Sequence, residues 1–329
     1  MDKREEKRLL VKIAQMYYEE DMTQGAISKE LGIYRTSVSR LLKKAREDGV
    51  VKITVSSDID GAFELERQLE KLFGLKEVII VPEKRDSTEL DKKKVVAMAA
   101  AELLKRIIKD GDVVGCAWGS TMASLIGEFT NAGKKDAHFV PLVGGPGPMD
   151  TKHHVNRIVY NIAEDFGGTS YFIDAAAVVE KKETKDDIVQ SHYFTKITEL
   201  WDNLTIAVVG IGNPNQSSNL VWAGFCGNRE IEDLNQQGAI GEVCSRFYDI
   251  DGNLIQSDLA DRTIAIELEK LENIPYSIGI AESVEKAPSI IGGLRGGYIN
   301  TLITTEETAN AIIEIIEEKG TSLNLRSMD

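Results

Sequence analysis

The sequence predicts an α/β protein in two parts, an N-terminal helix-turn-helix domain followed by a large Rossmann-like α/β domain. Three observations carry that reading. Basic residues concentrate at one end of an acidic chain. The first fifty residues show three helical repeats around a glycine corner. From Glu77 onward, short apolar runs alternate with longer amphipathic ones. At 329 residues there is room for a small and a large domain.

Charge sets the first bound on function. The formal net charge is −14. Residues 1–55 nevertheless carry 12 Lys and Arg against 9 Asp and Glu, whereas the remaining 274 residues carry 27 against 44. Between Thr23 and Arg46 there are six basic residues and one acid, Glu30. A basic module on an acidic body confines polyanion binding to one end. A composition of 42% hydrophobic and 28% charged residues excludes a disordered or fibrous chain. The apolar run Val95 to Leu104 has about half the length a bilayer requires, and MDKREEKR at the start lacks the apolar stretch of a leader. A cytoplasmic protein without membrane partners is expected. Cys116, Cys226 and Cys244 form no CxxC pair and read as buried reduced thiols. The four histidines show no ligand spacing, and neither a metal nor a cofactor is predicted.

The N-terminal elements follow in order. Leu9, Leu10, Ile13, Met16 and Tyr17 recur at helical spacing, giving a first helix that stops near Asp21. Thr23 is the expected N-cap of a second helix ending at Leu31, with Gly32 supplying a left-handed turn. A third helix places Val38, Leu41, Leu42 and Ala45 on one face and ends before Gly49, and Val50 to Val55 reads as a strand. This is the helix-turn-helix arrangement. The opposite face of the third helix offers Arg35, Thr36, Ser37, Ser39, Arg40 and Lys43 to the major groove. Arg40 is the expected base reader; Lys43, Lys44 and Arg46, toward the helix end, are expected phosphate contacts. A trihelical unit with a merely solvated basic face is the bland alternative. The glycine corner, the charge segregation and the terminal position together favour operator DNA as a partner. One such module binds weakly, so a homo-oligomer is expected.

Residues 56–62 form a polar break, read as a linker between a 1–55 DNA-binding domain and a 63–320 effector-binding and oligomerisation domain, with a tail at 321–329. Phe63 to Phe73 is an amphipathic helix. Expected strands are Val78–Val81, Val113–Ala117, Phe139–Val143, Ser170–Ile173, Thr205–Val209, Tyr276–Ile280 and Ile299–Ile303. Helices at Asp91–Lys109, Thr121–Asn131, Val155–Phe166 and Thr305–Lys319 lie between or after them. Alternation of this kind predicts a mostly parallel sheet covered on both faces, with ligands at the carboxyl ends of its strands.

Glycine turns fall at several strand ends: Gly119-Ser120-Thr121, Gly144-Gly145, Gly210-Ile211-Gly212 and Gly296-Gly297. The first is the best anion site, with close backbone approach, two hydroxyls and the N-terminus of a predicted helix. The last reads as a structural turn. The GST turn resembles the phosphate loop of the ribose-5-phosphate isomerase and glucosamine-6-phosphate deaminase group. In the deaminases a second loop supplies an acid and a histidine for proton transfer. The corresponding stretch here, VVGIGNPNQSSN, has Asn213, Pro214 and Asn215 instead. Neither asparagine nor proline shuttles a proton at neutral pH. No catalytic residue is assigned, and a receptor is favoured; a sugar-phosphate isomerase- or deaminase-like enzyme with an appended DNA-binding module is the alternative.

With both parts joined, the chain resembles the SorC/DeoR-type sugar-binding transcriptional regulators over nearly its whole length. The motifs are the block from Gln24 to Gly49, GCAWGST at Gly115 to Thr121, GEVCSRFYDIDG at Gly241 to Gly252 and LRGGYINTLIT at Leu294 to Thr304. Segments such as LVKIAQMYYEEDMTQ, HVNRIVYN and VQSHYF are most similar to the sorbose-operon branch. The resemblance implies a regulator of a sorbose- or sorbitol-type catabolic operon, a homotetramer, and a phosphorylated sugar effector, with sorbose 1-phosphate as candidate. It implies phosphate binding by Gly119, Ser120 and Thr121, with Gly144, Gly145, Gly210, Gly212, Asp249 and Lys286 lining the rest. Taken alone, Asp249 also reads as a turn residue and Lys286 as a surface lysine. His154, Asn156 and His192 are weaker expectations for sugar-hydroxyl contacts or helix caps. The sequence departs from the family pattern twice. Val143 stands where some members carry an aldehyde-trapping lysine, so covalent capture is not expected. Glu282 and Ser283 replace a common glycine pair, which leaves the number of phosphates and the sugar open.

Overall fold

The computed structural model describes residues 3–52, 62–83, 87–147, 153–214, 220 and 223–326, with side chains from Glu5 to Glu318. The chain divides into two compact units, Met1–Asp58 and Ile59–Asp329.

The smaller unit is three helices, α1 (Lys3–Tyr18), α2 (Gln24–Leu31) and α3 (Arg35–Glu47). Its core is small: Ile13, Met16, Ile27, Val38 and Leu42 are buried together, and Leu9, Tyr17, Leu31, Ile33 and Leu41 pack around them. The hydroxyl of Thr23 accepts from the backbone N–H of Ala26 at 3.2 Å and starts α2. Gly32, at φ 63°, ends it in the left-handed conformation that glycine takes without a Cβ clash. The predicted strand at Val50 to Val55 lies largely outside the described residues, and 50–52 contain no strand.

The larger unit is a seven-stranded sheet in which every pairing is parallel. Along the chain come α4 (Ala62–Phe73), β1 (Glu77–Val81), α5 (Glu89–Ile107), β2 (Val113–Cys116), α6 (Ser120–Ala123) and β3 (His138–Pro141). Next are α7 (Val155–Phe166), β4 (Thr169–Ser170), α8 (Lys182–Gln190), α9 (His192–Asp202), β5 (Ile206–Gly210) and α10 (Asn228–Gln236). The chain closes with a hairpin of β6 (Gly241–Val243) and β7 (Arg246–Tyr248), α11 (Asp258–Asp261), β8 (Tyr276–Ile280), α12 (Ala287–Arg295), β9 (Thr301–Thr305) and α13 (Glu306–Arg326). The sheet order is β1-β9-β8-β5-β2-β3-β4. Strands covered by helices on both faces are buried along their length; β2 and β9 are buried at every position, β9 although three of its five residues are threonines. α5 contributes Val96, Ala97, Ala100, Ala101, Leu103, Leu104 and Ile107 to that core, and a Thr88–Asp91 capping box starts it.

From β2 the chain runs outward through β3 to β4, then returns to lay β5 on the other side of β2. The order reverses between β2 and β5, and the carboxyl ends there splay apart to leave a crevice.

Three local expectations change, and a hairpin appears that the sequence did not announce. The helix predicted over Thr121 to Asn131 is one α-turn, Ser120–Ala123, continued by tight turns in which Leu125 and Ile126 donate to the third residue back. Gly127 at φ 90° ends it, and Met122, Leu125 and Phe129 are buried although they share no long helical face. The strand predicted over Ser170–Ile173 is reduced to Thr169–Ser170 at the sheet edge. The last helix extends to Arg326, past the predicted start of the tail. The β6–β7 hairpin has no sequence signal, because Cys244 and Ser245 occupy its turn at φ 50° and 63°, where glycine or asparagine is usual. The 56–62 linker lies outside the described residues apart from position 62.

Candidate functional site

A cavity of about 420 Å³ opens at the crevice between β2 and β5. Gly119, Ser120 and Thr121 come to it from the end of β2, Gly210, Ile211 and Gly212 from the end of β5, and Glu282, Ser283, Glu285 and Lys286 from the end of β8. Glu89 and Lys93 reach it from the first turns of α5, and Trp118 and Met122 complete the wall. Gly119 has φ 126° and ψ 175°, a conformation essentially confined to glycine, and this bend turns the chain over the strand end.

The electrostatics centre on Glu282. Its side chain is 1% exposed, yet it is not isolated. Thr121 Oγ1 donates toward its two carboxylate oxygens at 3.2 and 3.4 Å. The Lys286 ammonium is 3.4 Å from Oε1, and the Lys93 ammonium is 4.0 Å from the same oxygen. A buried carboxylate is tolerable when paired and hydrogen-bonded in this way. Glu89 and Glu285, by contrast, are exposed at the cavity. The hydroxyl of Ser283, which donates to Glu285, holds that carboxyl below its ordinary range.

Six of the nine predicted effector residues therefore converge: Gly119, Ser120, Thr121, Gly210, Gly212 and Lys286. Lys286 is buried, not a solvated surface lysine. The other three lie elsewhere, each for a packing reason. A Cβ on Gly144 would stand 2.5 Å from the backbone oxygen of Ala176, and one on Gly145 would stand 2.6 Å from His154 Nε2. Both glycines allow close approach of neighbouring chain. The Asp249 carboxylate accepts from the backbone N–H groups of Asp251 and Asn253, at 2.9 and 2.8 Å, and from the Asn253 side chain. Partial burial opposes its ionisation, but those hydrogen bonds keep its carboxyl below the ordinary value.

Two of the weaker expectations have structural partners. His154 Nδ1 accepts from the Asn156 N–H at 3.2 Å and caps α7. Asn156 braces Ile173 through two hydrogen bonds of 3.1 Å, and His192 is exposed at the start of α9. Sequence reasoning missed Lys93 and Glu89. Both sit one element away in sequence, and only the crossover from β1 through α5 brings them to the crevice. The anion argument from a long helix N-terminus does not apply, since α6 is a single turn. The side chains of Ser120, Thr121, Lys93 and Lys286 carry the polar chemistry instead. Asn213, in place of an acid, is 8% exposed, and its amide donates to the Glu285 carbonyl at 3.3 Å. Among the described residues no cluster of His, Cys, Asp and Glu fits a metal ion.

In the smaller unit, α3 exposes Arg35, Thr36, Ser39, Arg40, Lys43 and Arg46, while Ser37 is half-buried. Lys44 departs from expectation: its ammonium pairs with Glu6 of α1. That hydrogen bond raises the Lys44 pKa and lowers that of Glu6. Lys43 has a looser partner in Glu47 at 3.7 Å. Arg35 and Arg40 have no ion-pair partner among the described residues. Tyr34, at the N-cap of α3, is 83% exposed and makes no side-chain cap bond; no sequence pattern singled it out.

A helix-turn-helix unit with an exposed basic face and an α/β unit with a ligand-sized crevice define a ligand-responsive transcriptional regulator. The chain belongs to the family of sugar-binding transcriptional regulators: residues 57–314 match the family model described as "Putative sugar-binding domain". It is 40% identical to the sorbitol operon regulator of Klebsiella pneumoniae over 318 residues, covering 95% of this chain and all of that one. It is 31% identical to the deoxyribonucleoside regulator of Bacillus subtilis (strain 168), over 94% of this chain and 98% of the other. The crystal structure of the full-length Klebsiella pneumoniae regulator SorC superposes with a TM-score of 0.73, covering 93% of this chain and 98% of that one. A transcriptional regulator from Streptococcus pneumoniae TIGR4, 34% identical, gives 0.72 over 79% of this chain and 98% of that one. These relatives support the regulator reading and lend none to the enzyme alternative. No helix among the described residues is long and apolar enough to cross a membrane.

Proposed function

We propose that this chain is a cytoplasmic, non-enzymatic regulator of a sorbose- or sorbitol-type catabolic operon, whose affinity for operator DNA is set by a phosphorylated sugar. The observation that carries the reading is the convergence of Gly119, Ser120, Thr121, Gly210, Gly212 and Lys286 on one crevice, with Lys93 beside them. At about 420 Å³ the crevice is in the size range of small-ligand sites. The hydroxyls and ammonium groups suit a phosphate, and the acceptors around them suit sugar hydroxyls. Sorbose 1-phosphate is the candidate effector, by analogy with the branch the sequence resembles. Arg35, Thr36, Ser39, Arg40 and Lys43 contact DNA from α3, Arg40 reading a base and Lys43 a phosphate; Ser37 and Lys44 support the helix more than they touch DNA. A homotetramer places several such helices on a palindromic operator. An effector that binds one operator-affinity state better than the other shifts the population toward it.

A neutral polyol is the second reading. Three carboxylates, Glu89, Glu282 and Glu285, line the crevice against two lysines, a balance that opposes a dianion. A thermal-shift panel of sugars, polyols and their phosphates separates the two. Selective stabilisation by a ketose phosphate, rising with concentration as a single-site ligand requires, supports the first reading. Stabilisation by unphosphorylated sugars alone refutes it, and turnover of ribose 5-phosphate or glucosamine 6-phosphate would revive the enzyme.

A further inference from the structure

The carboxylate balance of the crevice conceals a difference in position. Glu89 and Glu285 are exposed to solvent, which weakens but does not remove their pull on the cations: Lys92 and Lys286 act electrostatically on Glu285. Glu282 is buried beneath the crevice, and around it stand three donors: the Thr121 hydroxyl and the ammonium groups of Lys93 and Lys286. The side chains of Lys286 and Lys93 are 10% and 25% exposed, against 1% for Glu282, so the lysine side chains are more open to solvent than the carboxylate. All four donor distances fall between 3.2 and 4.0 Å, longer than a tight charge-assisted bond. Each ammonium has three N–H donors and cannot satisfy all of them on one shared oxygen.

We propose that Lys93 is a second anion-binding cation of the effector site, and that Glu282 is a positioning residue that holds Lys93 and Lys286 side by side as a two-ammonium clamp. The inference rests on the phosphate reading above and deepens it. Two ammonium groups repel each other, and without a counter-charge they would swing apart toward solvent on flexible four-carbon stems. A buried carboxylate behind them offsets the repulsion and leaves their remaining N–H groups facing the crevice. The cluster of two lysines and Glu282 is then net positive by one charge before the ligand enters. Lys93 is also suited to this by its place: it stands within the first two turns of α5, which the Thr88 capping box fixes. Its neighbour Lys92 pairs with Glu83 and Glu307 at 3.2 and 3.0 Å and is not among the residues that line the crevice, whereas Lys93 is.

The proposal makes a prediction of unusual sign. If Glu282 simply repelled anions, its neutralisation would tighten phosphate binding. If it positions the lysines, E282Q weakens binding even though a negative charge has been removed. The probe is inorganic phosphate, titrated calorimetrically into the full chain, which makes the result independent of the sugar. K93Q and E282Q are each expected to raise the Kd about tenfold, the effect of losing about 1.4 kcal/mol. K93R, which keeps the charge, is expected to recover most of the affinity. Unaltered melting of the ligand-free K93Q protein shows that the loss is not structural, and this side chain is exposed enough to tolerate the change. Tighter binding by E282Q, or an unchanged Kd in K93Q, overturns the clamp while leaving the phosphate reading in place. Absence of phosphate binding by the wild type overturns both.

Discussion

Ile27 is the place to break the DNA-binding unit without touching its basic face. It is fully buried on α2 and packs with Ile13, Met16, Val38 and Leu42, so Ile27→Ala opens a cavity where three helices meet. Truncating a buried isoleucine to alanine typically costs about 2–5 kcal/mol, the spread reflecting how far the site can collapse. The unit spans Met1–Asp58, and at about 0.05–0.15 kcal/mol per residue its whole stability is only ~3–9 kcal/mol. The substitution therefore removes between about a quarter and all of that margin. The expected result is loss of binding to operator DNA selected by the wild-type chain, read by mobility shift at 37 °C, together with loss of helical circular dichroism at low temperature of melting. Effector-linked stabilisation of the larger unit is expected to persist. Two controls bracket the effect: Ile27→Val should cost about 0.5–1.5 kcal/mol and keep binding. Val11→Ala, at a residue 39% exposed on the same unit, should lie within about 0.5 kcal/mol of wild type. Wild-type operator affinity and unchanged melting in Ile27→Ala would refute the assignment of this cluster as the core that presents α3.

Other substitutions test single interactions. Arg40→Ala removes an exposed guanidinium with no ion-pair partner among the described residues and should weaken operator binding by about 1–3 kcal/mol while relaxing preference at one base position; Lys44→Ala, whose ammonium already pairs with Glu6, should do distinctly less in the same mobility-shift assay. Gly144→Ala forces a Cβ to 2.5 Å from the Ala176 carbonyl oxygen and should destabilise by about 1–3 kcal/mol in thermal melts. Lost effector affinity with undiminished stability would instead make Gly144 a ligand contact. Burial lowers the His154 pKa, with Asp174 opposing, so the folded state releases its proton more readily than the unfolded chain. Its contribution is full above the ordinary histidine value of about 6.5 and declines as pH falls below it. His154→Asn keeps a cap acceptor for α7 and should flatten the part of the stability–pH curve just below about pH 6.5; an unchanged slope would exclude His154 as its source.

The sequence by itself determined what depends on local periodicity and local charge. Thr23, Gly32 and the spacing of Ile27, Val38 and Leu42 specify the three helices, because caps, left-handed glycines and apolar stripes act within a few residues. The alternation of strands and helices specified a parallel sheet for a similar reason, as each crossover needs a helix to cover the apolar strand it joins. The GST turn was legible as a candidate site, and it does line the crevice, because a glycine bend followed by two hydroxyls at a strand end has few structural uses. What only the tertiary structure decided depends on long-range placement. Whether Lys286 is a surface lysine or a buried cation is set by packing from distant segments, whereas the turn that holds Asp249 is local, made with Asp251 and Asn253. The hairpin at Cys244-Ser245 adopts left-handed backbone against local preference, held by its burial between elements remote in sequence. Lys93 and Glu282 are 189 positions apart and carry no shared pattern. The reversal of strand order beside β2 and the path of α5 bring them within 4.0 Å, and that closure is a property of the whole sheet.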